Sequence, residues 1–237
     1  MKAQPETGEE PRVPLSRERV LHAAITLADE AGIESLSMRR LADKLGSEAM
    51  SLYYHVENKG ALLDGLAEII LGEIIDATSK IQGPPGRWKA TLRSKILAAR
   101  EILLRHRWAP PLIQSRTNMS PSSMRYFDAL IGLLLEAGFS IDLTHHALHA
   151  LGSRALGFTQ ELYDDSSAPD DEAIAMLLEQ VADEYPHIAT MVKGITHDAE
   201  TTLGWCDDQF EFEFGLDLIL DGLDRLREKK RSPRRTP

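Results

Sequence analysis

The apolar residues of this chain recur with the period of a helix, and the alternation typical of β-strands is nearly absent. After Ser16, one face of an amphipathic helix collects five apolar residues: Val20, Ala24, Leu27, Ala28 and Ala31. Ser16 is a suitable N-cap, and Gly32 suits a left-handed residue at the C-terminus. Similar patterns continue along the chain, so we predict an all-α fold.

Two short helices are predicted next. Ser37 is a natural N-cap, and Leu36 and Leu41 stand at the two positions of a hydrophobic staple. Gly46 should end this helix, and Ser47 is expected to cap a second one over 48–56. A longer helix followed by two short helices across a Gly-containing turn is the helix-turn-helix layout.

The remaining pattern divides the chain into domains. Asn58 caps a long amphipathic helix that fades near residue 81, before the break at 83–86, Gly-Pro-Pro-Gly. Beyond it we predict loops at 164–171 and 193–204, and helices at 87–107, 109–115, 121–137, 141–163, 170–184 and 207–228. We therefore expect four regions: a disordered leader (1–14), a helix-turn-helix domain (15–60, linked through helix 58–81), a helical C-terminal domain (84–228) and a basic disordered tail (229–237).

Composition limits the class of protein. The chain has 237 residues and one cysteine, Cys206, which excludes an intrachain disulfide framework and favours a reducing compartment. No apolar run approaches the roughly 20 residues that span a bilayer, and the charged, Pro-rich leader lacks the features of a signal peptide. We expect a cytoplasmic protein without membrane contact. The net charge of −10 is unusual for a nucleic-acid binder, so DNA binding must be argued from local pattern.

The second short helix carries that local pattern. Leu52 and Val56 are four residues apart and should face the core, which turns a methionine, two tyrosines and a histidine outward. Hydroxyl donors and small apolar groups suit phosphates, base edges and thymine methyls in the major groove. Arg39 could fork onto a guanine and Lys59 could contact a phosphate. The candidate DNA-binding residues are Ser37, Arg39, Glu48, Ala49, Met50, Ser51, Tyr53, Tyr54, His55 and Lys59.

Other interpretations remain open. Tyr53 and Tyr54 could instead pack against the following long helix, and the helix-turn-helix could bind only protein, as an adaptor. His145 and His149 are four apart and could share a metal ion, although a solvated or interface role suits them better. No Gly-rich phosphate loop, nucleophile–base pair or metal motif is present, so we expect neither an enzyme nor a cofactor.

At family level, residues 15–66 resemble the DNA-binding domain of the tetracycline-repressor (TetR) family. The most specific parts are LYYHVENK at 52–59 and ALLD at 61–64. Trp88 and the segments LLRHR (103–107), EAGFS (136–140) and ALGF (155–158) are similar to the tetracycline-repressor type of C-terminal domain. The resemblance implies a homodimer that binds a palindromic double-stranded DNA operator, mostly as a repressor, and leaves it when a small effector binds. An activator without such induction is the alternative. Family position puts DNA contacts at Arg39, Ala49, Met50, Ser51, Tyr53, His55 and Lys59.

The resemblance also implies an altered effector site. The metal-ligating histidine of magnesium–tetracycline repressors is Ile113 here, and drug-contacting polar positions become Ile75, Lys95 and Leu130, while Glu161 is retained. Loss of these groups disfavours a polar metal chelate such as tetracycline. We expect a largely apolar effector in a cavity lined by Ile113, Met124, Phe127, Leu130, Leu134 and Phe158, each of which could equally be ordinary core.

Arg154 lies among apolar neighbours, where a buried cation needs a partner. It could bind a carboxylate effector, or it could pair with Glu161 or with a residue of a second subunit.

The last helix predicts a dimer interface. Its apolar residues cover so wide a face that it must be buried on more than one side. Packed with helix 141–163 and both symmetry mates, it would form the four-helix bundle that the resemblance implies, through Leu148, Leu151, Phe210, Phe214, Leu218 and Leu223. The basic tail after it is a solvated end or an auxiliary DNA contact.

Overall fold

The computed structural model describes residues 14–116, 119–157, 182–187, 189–190 and 208–231. Within these ranges every regular element is helical, which confirms the all-α prediction. The α-helices are α1 (Arg17–Ala31), α2 (Met38–Leu45), α3 (Ala49–Leu52), α4 (Lys59–Ser79), α5 (Trp88–Arg105), α6 (Ala109–Ser115), α7 (Pro121–Glu136), α8 (Ile141–Gly157) and α9 (Asp208–Arg231). Single 3₁₀ turns span Ile33–Ser35 and Pro85–Arg87.

Side-chain caps mark where α1, α2 and α4 begin, as predicted from the sequence. The side chains of Ser16, Ser37 and Asn58 each accept a hydrogen bond from the backbone N–H three residues later, at 3.2, 3.2 and 2.9 Å. Gly46 ends α2 in the left-handed region, at φ 61° and ψ 38°. Gly32 also has positive φ, 77°, but its ψ of 155° is extended, so the predicted left-handed cap of α1 is wrong in detail.

The second short helix is shorter than predicted. Glu48, not Ser47, holds the N-cap position of α3 and makes no side-chain cap, while the Ser47 hydroxyl is buried without a partner. After Leu52 the chain turns, and the amides of His55 and Val56 both bond the Leu52 carbonyl, at 2.9 and 3.0 Å. Tyrosine, histidine and valine are poor helix formers, which explains why the regular helix stops early.

Two C-terminal boundaries also differ. Helix α9 continues to Arg231, so residues 229–231 are helical and not part of a disordered tail. Lysine and arginine are good helix formers and suit a helix C-terminus. Residues 182–184 form a turn, so the predicted helix 170–184 does not reach its expected end. The leader 1–13, both predicted loops, residues 170–181, Phe158 and Glu161 lie outside the described residues.

The core consists of two clusters that meet along α5. The first joins α1–α4 to α5 and α6, and the second joins α5, α7, α8 and α9. Trp108, at the start of α6, is buried in the first cluster and donates its Nε1–H to Asp29 Oδ1 of α1, at 2.6 Å. The helix-turn-helix therefore shares a continuous core with α5 and α6 across the predicted boundary at residues 83–86.

Substitution of two glycines tests how their backbone conformation contributes to the free energy of unfolding. A Cβ at Gly46 or Gly72 would have no neighbour within 4 Å, but Gly46 has φ 61° and Gly72 lies inside α4. Gly46→Ala should lower the free energy of unfolding by about 1–2 kcal/mol, whereas Gly72→Ala should raise it by up to about 1 kcal/mol. Urea unfolding at one fixed protein concentration measures both; equal effects of the same sign would contradict the assignment.

Candidate DNA-binding face and effector cavity

The tyrosine-rich segment after α3 is presented to solvent. Leu52 and Val56 are 0% and 3% exposed and hold the segment in the core, as predicted. Met50 is 70% exposed, Tyr53 42% and Tyr54 90%, so the alternative in which the tyrosines are buried against α4 is wrong. The same turn leaves Ala49, Ser51 and His55 half-buried beside them.

Two exposed cations flank this segment. In the described part of the chain, Arg39 on α2 and Lys59 at the start of α4 have neither an ion pair nor a hydrogen bond to other side chains, so both can meet phosphates or bases. Lys44 instead pairs with Glu30 at 2.9 Å. Ser37 and Glu48 are exposed, and the Ser37 hydroxyl serves as the cap of α2. We call this surface, residues 37–39, 48–55 and 59, the recognition face.

An apolar cavity of about 110 Å³ lies between α4, α5, α6, α7 and α8. Four of the predicted residues line it, namely Ile113, Phe127, Leu130 and Leu134. Met124 does not; it is 52% exposed on the outer side of α7. The other lining residues are Leu71, Ile74, Leu92, Ile96, Ala99, Leu103, Ser123, Tyr126, Leu148, Leu151, Gly152, Ala155 and Leu156.

Tyr126 brings a hydroxyl into this apolar lining. Its ring contacts Phe127 at 5.9 Å between centroids, and its hydroxyl bonds no other residue in the described ranges. Burial raises the pKa of Tyr126 to about 12, so the hydroxyl stays protonated and neutral. Sequence reasoning missed this residue because its helical position alone does not tell which side of α7 faces the cavity.

A wider pocket of about 620 Å³ between α4, α6 and α7 adjoins the cavity, and we call it the mouth. It shares Leu71, Ile113, Ser123, Phe127 and Leu156 with the cavity, so the two spaces lie side by side. The remaining lining is largely polar: Asp64, Ala67, Glu68, Gln114, Ser115, Arg116, Met119 and Ser120.

Two carboxylates face the mouth, and they differ in their partners. Asp64 Oδ1 pairs with Arg116 Nη1 at 3.0 Å, which ties α4 to the end of α6. Glu68 instead accepts the backbone N–H of Ser122 at 3.2 Å through Oε1, and its Oε2 is shielded from solvent. Burial by itself raises the pKa of Glu68, but hydrogen bonds from Ser120 and Ser122 outweigh it and hold the pKa below the ordinary value. Glu68 is therefore ionised at neutral pH.

Two protein-family models match the chain. Residues 20–66 match the model of "Bacterial regulatory proteins, tetR family", and residues 82–227 match "Tetracyclin repressor-like, C-terminal domain". The chain belongs to the tetracycline-repressor family. Members of this family are DNA-binding transcriptional regulators and not enzymes, which confirms both predictions at that level.

Individual members of the family align with most of the chain. The chain is 32% identical over 213 residues to the class C tetracycline repressor of Escherichia coli, covering 90% of this chain and 92% of that one. It is 31% identical over 237 residues to the transcriptional repressor DrrR1 of Streptomyces coeruleorubidus, covering 93% and 82%. A structure of ActR from Streptomyces coelicolor in complex with actinorhodin superposes with a TM-score of 0.70 at 26% identity, covering 91% and 99%.

Arg154 does not line the cavity, which corrects its place among the effector residues. Its guanidinium donates to the backbone carbonyls of Glu211 and Phe212 on α9 and lies 5.2 Å from the Phe212 ring. Gly215 leaves room for it, since a Cβ there would lie 2.7 Å from the guanidinium carbon. Burial lowers the pKa of Arg154, partly opposed by Glu211. The described contacts make Arg154 a link between α8 and α9.

The predicted interface residues fall into two groups. Phe210, Phe214 and Leu218 are 55–58% exposed along one side of α9. Leu148, Leu151 and Leu223 instead pack within the single chain, and their place in an interface stays a prediction. The reason is that α9 turns a second row of apolar residues inward, onto α5 and α8: Phe212, Leu216, Leu220 and Leu223.

The two histidines that the sequence suggested as a metal pair lie at the surface of α8. His145 and His149 are exposed on α8 with ring centroids 4.6 Å apart, and the described residues include no group of three or more metal-ligating side chains. Lys95 donates to the Thr78 carbonyl at 2.6 Å, and burial lowers its pKa. No helix in the described ranges has the length and apolarity needed to cross a membrane.

The raised pKa of Tyr126 predicts a specific loss of stability in alkali. Below pH 10 both states hold the proton; from there to the folded-state pKa of about 12 the unfolded chain loses it first, so the free energy of unfolding falls. The fall should total about 2–3 kcal/mol. In urea unfolding from about pH 9 to about pH 11.5, Tyr126→Phe should remove this component and Tyr54→Phe, at an exposed position, should keep it. Identical pH profiles of the two variants would contradict the environment described for Tyr126.

Proposed function

We propose that this protein is a homodimeric repressor that binds a palindromic operator through the recognition face and is released by a small effector other than tetracycline. The observation that carries the proposal is the position of the apolar cavity against α4, the helix that begins beside the recognition face. Relatives named as repressors over most of the chain support the direction of regulation.

On DNA, the turn after α3 would enter the major groove. Met50, Tyr53 and Tyr54 are the large apolar side chains exposed on the recognition face, and Arg39 and Lys59 flank them. Arg39 would read a guanine edge and so contribute to sequence specificity. Lys59 would bind a phosphate and so help to position the protein on the DNA. Because the chain is acidic overall, a few specific contacts carry the affinity, and its dependence on salt should be modest.

The exposed side of α9 would form the dimer. Three large apolar side chains, Phe210, Phe214 and Leu218, are spaced four residues apart and open to water in the single chain. Exposed apolar surface of this kind marks an interaction site. A two-fold axis through α9 would set the two recognition faces for half-sites one or two turns apart, at about 34–36 Å per turn.

The effector would place an apolar group in the cavity. A cavity of about 110 Å³ is close to the size of the roughly 150 Å³ apolar cavities known to stay dry and bind benzene, so it takes a group of about one ring. The mouth would hold the remainder. Ile113 in the cavity wall offers no ligand to a metal, which argues against a magnesium chelate. The structure of ActR in complex with actinorhodin supports a ligand site in a relative of similar fold.

Release from DNA would follow from the shared helix. Ile74 and Leu71 on α4 line the cavity, while Leu62 and Leu66 on the same helix pack in the core that supports the recognition face. An effector that prefers a shifted α4 would change the spacing of the two faces, and one that binds both positions equally would release nothing.

Substitution of Arg39 tests the recognition face. Arg39→Ala should weaken operator binding by about 1–3 kcal/mol, or roughly tenfold to a hundredfold, because a bidentate base contact is lost. Tyr53→Ala should act in the same direction. The operator would be located by footprinting the protein's own upstream region, and Arg87→Ala, an exposed arginine near the start of α5, serves as the control. Absence of protection by a folded dimer at modest salt would refute the proposal.

The interface can be tested separately by sedimentation. Leu218→Arg places a charge on the exposed apolar side of α9 and should convert the dimer to a folded monomer, because burying an unpaired charge is costly. Met50→Arg, at an exposed apolar position on the recognition face, should leave the dimer intact. A Leu218→Arg protein that stays dimeric at micromolar concentration would show that α9 is not the interface.

A further inference from the structure

A purely apolar effector would make no use of the Glu68 carboxylate in the mouth. It lies on α4 between Ala67 and Ile69, at the side where the mouth meets the N-terminus of α7. In the described part of the chain its carboxylate has no ion pair, and its hydrogen bonds come from neutral groups of Ser120 and Ser122. A carboxylate without a counterion beside an apolar cavity would stabilise a cationic group of a ligand, because a charge-assisted hydrogen bond is stronger than a neutral one.

The neighbouring charges are already engaged. Asp64 and Arg116 pair with each other across the mouth at 3.0 Å. Arg125 is close enough to favour the ionised form of Glu68, but its guanidinium donates to the Ser122 hydroxyl at 2.7 Å and not to the carboxylate. The charge of Glu68 is therefore the unbalanced one among the residues that line the mouth.

The remaining polar groups at the boundary are neutral. Ser120 and Ser123 bond each other through their hydroxyls at 3.1 Å, and Tyr126 keeps its proton. The cavity thus presents apolar walls, and the adjoining mouth presents neutral hydroxyls and one carboxylate without an ion pair. This combination matches a molecule with an apolar ring at one end and a cation at the other.

We propose that Glu68 is an effector subsite, resting on the proposed function of the cavity, and that the effector is an amphipathic amine: its ring fills the cavity and its protonated nitrogen donates to the Glu68 carboxylate. The net charge of −10 favours a cationic ligand over an anionic one at the level of encounter. A carboxylate-bearing effector is disfavoured, because it would bring a second negative charge beside Glu68 and because the Arg154 guanidinium bonds to α9 and does not line the cavity.

Three probes that differ only at one end test this on the full-length protein. They are 4-phenylbutylamine, 4-phenylbutanol and 4-phenylbutanoic acid, titrated by calorimetry at neutral pH. The amine should bind at least about tenfold more tightly than the alcohol, because hydrogen bonds to charged groups are worth more than neutral ones. The acid should bind most weakly.

Variants then locate the source of the preference. Glu68→Gln retains Oε1 as the partner of Ser122 and should reduce amine binding about tenfold, with alcohol binding changed less than about threefold. Asp64→Asn removes a carboxylate from the same mouth and should keep the preference for the amine. Leu130→Trp fills the cavity and should weaken all three probes alike. Circular dichroism and urea unfolding check that each variant is folded.

Two results would overturn the subsite: equal binding of amine and alcohol by the native protein, or equal loss of amine binding in Glu68→Gln and Asp64→Asn. Operator release is measured in parallel, which separates this inference from the proposed function. If the amine binds through Glu68 but DNA stays bound, the subsite stands and the control of DNA binding by the cavity is contradicted.

Discussion

The rest of the structure depends on one buried row along α4. Leu62, Leu66, Ile70 and Ile74 follow each other at intervals of four residues and are 0–4% exposed. The first two pack with the helix-turn-helix, and the last lines the cavity. Each such side chain contributes about 1.5–3 kcal/mol on burial. Because interiors are close-packed, a displacement at one end of this row has to be accommodated at the other.

This constraint explains how a small cavity can influence a distant surface. The helix-turn-helix does not hang from a flexible linker: Asp29 of α1 also accepts hydrogen bonds from Trp108 and faces His106 Nδ1 at 2.8 Å. Helix α6 is thus fixed to α1 at its beginning and, through Arg116, to α4 just after its end. Ile113, between these two attachments, lines both the cavity and the mouth. A ligand against Ile113 therefore acts on a short element held at both ends by parts of the DNA-binding half.

Local signals in the sequence predicted most of the fold, and long-range contacts account for most of what they missed. The caps at Ser16, Ser37 and Asn58 were readable because a cap depends on residues three positions apart. The turn at Tyr53–His55 was not, since it follows from the anchoring of Leu52 and Val56 in a core built by other helices. Arg154 was placed near the effector, yet its partners lie more than fifty residues away on α9. No local pattern in the sequence singled out Glu68, because the pocket that it lines is formed with residues of α6 and α7, which are distant in the chain.

The central claim is that the cavity and the recognition face share one cooperative unit through α4, and native-state hydrogen exchange of Ile74→Ala tests it most directly. The account predicts that this truncation in the cavity wall lowers the protection of amides in α1 and α2 as well as in α4 and α5, by comparable free energies. Leu223→Ala, in the second cluster, should spare α1 and α2. A loss of protection confined to the helices around the cavity, with α1 and α2 unchanged in Ile74→Ala, would contradict the account.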